Sequence, residues 1–151
     1  MPIFDSVDKA VAYVSAAVTE ALGSGVLREV RKEEAKQVDD KVYGAYTPEY
    51  YKRRGDMGAP GNMPGVVSGL SLTVQNVTPP SGEQPAQFKR NTPPPTTGKD
   101  LASVVETGNG YDWYSPGARP FTQATVQGLS ASQAHVNAIK KHLRSKGIRV
   151  V

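Results

Sequence analysis

Chemistry needs reactive side chains at workable spacing, and few candidates occur in this sequence. Asp39 and Asp40 are adjacent carboxylates, but neighbours in sequence do not face each other on a helix, so they form no acid/base pair. The two histidines, His135 and His142, fall two turns apart near one helix face, too far to ligate one metal ion. The chain has no cysteine, which excludes disulfides and cysteine-based zinc sites. The glycine-rich stretch 55–69 lacks the Gly-Lys-Ser/Thr ending of a phosphate loop and precedes a strand rather than opening a helix. No nucleophile elbow occurs. The expectation is therefore a protein that is not an enzyme, with no catalytic residues, no metal and no cofactor.

Recognition has more to work with. Tyr50, Tyr51, Lys52, Arg53 and Arg54 join aromatic rings and cations ahead of the glycine-rich stretch. Such a cluster could stack on bases and bind phosphates, anchor a protein interface, where Tyr and Arg are enriched, or be a strand end with snorkelling side chains. Arg119 lies between Ala118 and Pro120, where the following proline restricts its backbone. A fixed guanidinium there suits a bidentate carboxylate contact, or a local tie to Glu106 or Asp112. The charge is also lopsided. All 14 acids lie in residues 1–112, while 113–151 carry Arg119, Lys140, Lys141, Arg144, Lys146 and Arg149 with no acid. Lys140, Lys141, Arg144 and Lys146 could meet DNA or an acidic partner, or simply suit the negative end of a helix.

The elements that must carry these residues follow from periodicity and breakers. With 151 residues the chain is expected to form a single domain, 1–151. Its 15 glycines and 12 prolines point to long irregular segments. Residues 5–22 have helical spacing, with Val7, Val11, Val14, Val18 and Ala21/Leu22 on one stripe and Asp5 or Ser6 as N-cap. Gly23-Ser24-Gly25 costs roughly 2 kcal/mol against alanine, which predicts a break or bend. A more charged helix resumes over 26–40. Lys41–Tyr46 reads as a short strand, residues 49–65 as irregular, and 66–78 as the clearest strand, with Leu70, Leu72 and Val74 facing inward. Six prolines make 79–99 a long loop. Asp100 caps a short helix with Leu101, Val104 and Val105 inward. A strand at 111–114 and a helix over 120–146 complete the order. Gly128, or Ser130 with Gln133 as a capping box, could split that last helix. The sum is an α+β fold, a small mostly antiparallel sheet packed by an N-terminal and a long C-terminal helix. No apolar run approaches the ~20 residues of a membrane span. The start, Met1-Pro2-Ile3-Phe4-Asp5, is unlike a secretory signal. A soluble intracellular protein with no membrane contact is expected.

Several of these features, in order, resemble the tail-completion and head–tail joining (neck) proteins of tailed double-stranded DNA bacteriophages. They are the N-terminal amphipathic helix, Val42-Tyr43 leading to Tyr46-Thr47-Pro48, then Tyr51-Lys52-Arg53-Arg54-Gly55, the Glu106-Thr107-Gly108 step, and Ala118-Arg119-Pro120-Phe121 opening the last helix. The stretch 55–66 lacks the leucine that often follows the arginine–glycine step, and the loop 79–99 is longer than typical. The resemblance implies a virion structural protein that forms a homo-oligomeric ring in the neck, between the head connector and the tail tube, around the DNA channel. It implies the virion as destination, reached from the host cytoplasm during assembly. Subunit or partner contacts would then fall to Tyr50, Tyr51, Arg53, Arg54 and Arg119. A tail-terminator ring capping the tube is the near alternative. A non-specific nucleic-acid-binding protein using the basic C-terminal helix is the alternative of another class.

Overall fold

A computed structural model describes residues 2–45, 47, 55–79, 100–109 and 117–151. Its elements are α1 (Val7–Ala21), α2 (Leu27–Gln37), a hairpin of β1 (Gly65–Ser68) and β2 (Ser71–Val74), α3 (Leu101–Thr107), α4 (Phe121–Ser132) and α5 (Ala134–Ser145). The fold is α+β, mostly helical, with one two-stranded antiparallel sheet. The strand expected at 111–114 lies outside the described residues.

Ser6 is the N-cap of α1, its hydroxyl accepting from the Lys9 N–H. The face of α1 that packs inward is not the valine stripe. Ala17 and Ala21 are buried and Tyr13 is half-buried, its hydroxyl donating to the Lys146 carbonyl at 2.8 Å. Small alanines let α5 lie close, and Val7, Val11 and Val14 are left facing outward while Val18 is half-buried. The expected break at Gly23-Ser24-Gly25 is instead a π-helical turn, Leu22–Val26, that joins α1 to α2. Leu22 and Val26 are buried there, and a Cβ on Gly25 would sit 3.5 Å from that of Ala138 on α5. Packing against α5 outweighs the poor helix propensity of two glycines.

The expected strand at Lys41–Tyr46 is also corrected: Val38–Tyr43 is a second π-helical turn, closed by the Gly44 N–H on the Asp39 carbonyl at 2.7 Å. Val38 and Val42, four residues apart, fall on one face and enter the core with Met57, Val105 and Phe121. That helical spacing prevails over the local β-propensity of Val42-Tyr43. The uninterrupted helical run Val7–Tyr43 includes a stretch long and apolar enough, by length and composition, to cross a membrane. This revises the sequence expectation that no segment approaches a span. A core helix passes the same test.

Residues 66–78 form a hairpin rather than one strand. The register pairs Gly65 with Val74 and Val67 with Leu72, and the two-residue loop Gly69-Leu70 has Gly69 at φ 58°, as a II′-type turn requires at its first position. Leu70 therefore sits exposed in the turn rather than inward. Gly65 lies tight against Leu27, where a Cβ would come within 2.5 Å of Leu27 Cδ1. Asp100 caps α3 through the Ala102 and Ser103 N–H groups, and Val104 and Val105 are buried. The long C-terminal helix is divided at Gln133, which adopts φ 53°. Its side-chain amide donates to the Ser130 carbonyl at 2.7 Å, so it ends α4 rather than serving in a capping box.

Candidate interaction surfaces

The sequence-selected residues do not converge on one place. Tyr50, Tyr51, Arg53 and Arg54 lie outside the described residues. Arg119 is only 8% exposed. Its N–H donates to the Val105 carbonyl at 3.0 Å, and its carbonyl accepts from the Phe121 N–H at 2.8 Å. The backbone around Arg119 thus fastens the end of α3 to the start of α4. Glu106 strengthens the same junction. Its carboxylate accepts from the N–H groups of Thr122 (2.8 Å) and Gln123 (3.3 Å). The helix α4 opens after Pro120, which has no capping side chain, so an acid from α3 supplies the cap and meets the positive end of the α4 dipole. The sequence singled out Glu106 as a candidate partner of Arg119 and as part of the Glu106-Thr107-Gly108 step, not as a cap. The missed signal was an acid close in space to a helix start that lacks its own capping residue.

The basic residues of α5 divide into two groups. Lys141 and Arg144 are exposed, and Lys140 is half-buried with its ammonium 3.5 Å from the Val151 carbonyl. Lys146 is committed elsewhere: its ammonium lies 2.7 Å from Glu20 on α1, and His142 Nε2 is 3.3 Å from the same carboxylate oxygen. The Lys146 hydrogen bond, then its charge, then His142, hold Glu20 below the usual carboxylate range, and Glu20 in turn raises Lys146. This staple ties α1 to α5 at neutral pH. His135 is half-buried, and its Nδ1 has no hydrogen-bond partner among the described residues. Among those residues no group of three or more His, Asp or Glu could hold a metal ion.

Two further surfaces stand out. Along α2 runs an open groove of about 410 Å³ lined by Leu27, Ala35 and Pro60, by Arg28, Arg31 and Lys32, and by Gly23 and Ser24. Arg31 Nε donates to the Met63 carbonyl at 2.9 Å, which fixes its guanidinium at the groove wall. On α1 the apolar stripe is open to solvent: Ile3 is 97%, Val7 78%, Val11 58% and Val14 38% exposed. Behind the groove, Glu34 is buried on α2. It accepts from the Asn76 amide at 2.9 Å, and the same Asn76 also donates to the Met57 carbonyl and accepts from Thr78. Burial pushes the Glu34 carboxyl above its usual range, against the Asn76 hydrogen bond and with the help of the Glu106 charge.

These features define a small helical α+β protein whose described surface offers a basic helix face, a cation-lined groove and an apolar stripe. The sequence profile of the YomN family matches residues 6–145, nearly the whole chain, and the chain belongs to that family. It is similar to the "SPbeta prophage-derived uncharacterized protein YomN" of Bacillus subtilis (strain 168), 32% identical over 116 residues that cover 73% of this chain and 70% of the relative. The kinship is to a prophage protein, and the chain is accordingly phage-derived. No solved structure matches it.

Proposed function

We propose that the chain is a structural protein of the phage neck, forming a ring that completes the tail and joins it to the head connector around the DNA channel. The observation that carries this reading is the match to a prophage family over residues 6–145, taken with the ordered resemblance to head–tail joining proteins. Two physical features support it. The core is small, centred on Val38, Val42, Met57, Val105 and Phe121, so contacts with neighbours would add stability by mass action. Large apolar side chains of α1 also stand in solvent, as on a chain that meets a partner. The role is assembly rather than turnover, with other copies, the connector and the tail tube or terminator as partners, and the virion as location. A tail-terminator ring would use the same features.

The test is a phage deleted for this gene. Filled heads and separate tails accumulating after induction, seen by electron microscopy, are the expected result. Normal yields of joined virions would overturn the proposal.

A second reading rests on the exposed Lys141 and Arg144 of α5: non-specific binding of nucleic acid. It predicts tight retardation of duplex DNA by the isolated protein at low salt, lost steeply as salt rises. Weak binding at both salt levels favours the neck reading.

A further inference from the structure

We propose that copies of this chain associate head to tail, the exposed valine stripe of α1 on one copy seated in the cation-lined groove along α2 of the next. The inference rests on the ring reading and deepens it by naming the contact.

The stripe is built to lie along another helix. Val7, Val11, Val14 and Val18 are spaced four, three and four residues apart, the alternation of a helix–helix seam. Val7 to Val14 spans roughly 10 Å of helix, and Leu27 to Ala35 in the groove spans roughly 12 Å. The two surfaces match in length, and both carry apolar side chains. Exposure along the stripe falls steadily from Ile3 to Val14, so its outer end is the part left for an incoming surface.

Charge decides the occupant. Beside the stripe are Asp5, Asp8 and Lys9, with Asp5 held by Lys9 at 2.7 Å. Asp8, one turn before Val11, has no ion-pair partner among the described residues, which leaves one net negative charge. Around the groove are Arg28, Arg31 and Lys32 against Glu29, which lies 3.5 Å from Arg28; that leaves two net positive charges. Stripe on stripe would offer Asp8 no cation beyond Lys9, which Asp5 already holds. Groove on groove would bring like cations together. Stripe in groove pairs opposite signs beside apolar side chains, the arrangement that steers and selects partners. No residue of the stripe lines the groove. One copy can therefore engage two neighbours at once, which gives a closed ring or an open filament depending on the rotation per step.

The experiment uses the purified full-length chain in sedimentation velocity over a range of concentrations. One variant spoils the stripe, Val11→Asp, with Val7→Asp as a second in case the first does not fold. The other spoils the groove, Arg28→Glu with Lys32→Glu. Circular dichroism checks that helix content is kept. The wild type should associate, and each variant alone should associate more than about tenfold less tightly. An equimolar mixture of the two should form a dimer and go no further, because only one intact stripe and one intact groove remain to meet. Wild-type protein that stays monomeric overturns the inference. So does a groove variant that assembles normally, which would indicate stripe-on-stripe pairing, or a mixture that stays monomeric. Any of these results, with the deletion phage still failing to join heads to tails, removes this contact while the neck reading stands.

Discussion

Gly108 is the position where one added methyl group should cost most for its size. It ends α3 in the left-handed conformation, φ 72° and ψ 5°. There a side-chain-bearing residue is disfavoured by about 1–2 kcal/mol. A Cβ would also fall 2.5 Å from Ala118 N and from Gly117 C, and 2.8 Å from Gly117 O. These are backbone atoms that cannot rotate aside. Relief requires the 117–119 segment to withdraw, stretching the Arg119 N–H bond to the Val105 carbonyl, now 3.0 Å. Overpacking of this kind costs about 1–3 kcal/mol, and weakening the hydrogen bond about 1 kcal/mol more. Gly108→Ala should therefore lower unfolding stability by roughly 3–6 kcal/mol. Gly69→Ala is the control. Gly69 has φ 58° with nothing within 4 Å of an added Cβ, so it carries the conformational cost alone. Both substitutions also stiffen the unfolded chain alike, so the difference between them, about 2–4 kcal/mol, reports the close approach. Urea unfolding gives this directly from the shift in midpoint at unchanged slope. If the two variants agree within about 1 kcal/mol, the contact between the α3 end and the start of α4 is not as tight as the structure has it.

Two further substitutions probe other buried or capping groups. Glu34 has its carboxyl pushed up by burial. A folded-state value above the unfolded one gives stability that is present below the unfolded value and lost as pH rises through the folded one. Glu34→Gln keeps an acceptor for Asn76, so it should match the wild type in acid and exceed it in denaturation midpoint at pH 7. A variant less stable than wild type at pH 7 would contradict this. Glu106→Ala removes the acceptor for the Thr122 and Gln123 N–H groups and should cost about 1 kcal/mol, as losing an N-cap does. Unfolding in urea measures it, and no loss would mean that solvent caps α4 equally well.

What the sequence made legible follows from which signals are local. The caps Ser6 and Asp100 and the buried pair Val104 and Val105 depend on residues a few positions apart, and the structure has them as read. The misreadings arose where distant packing decided. Val42-Tyr43 has strand-forming side chains, yet Val38 four residues earlier pulls the segment into a helical turn over Met57 and Phe121. Gly23-Ser24-Gly25 looked like a break until α5 was laid across it. The spacing of the α1 valines shows that one side of the helix is apolar, not which side the rest of the chain covers. Alanine at 17 and 21 and the Tyr13 hydroxyl determined that, by allowing α5 to approach. The same ambiguity gives the stripe its interest. The YomN family profile matches nine-tenths of the chain, and among the described residues an apolar seam of regular spacing stands in solvent while a cation-lined groove lies elsewhere on the same molecule. The described residues leave Val7, Val11 and Val14 exposed, and sedimentation of Val11→Asp tests whether a second copy is what covers them.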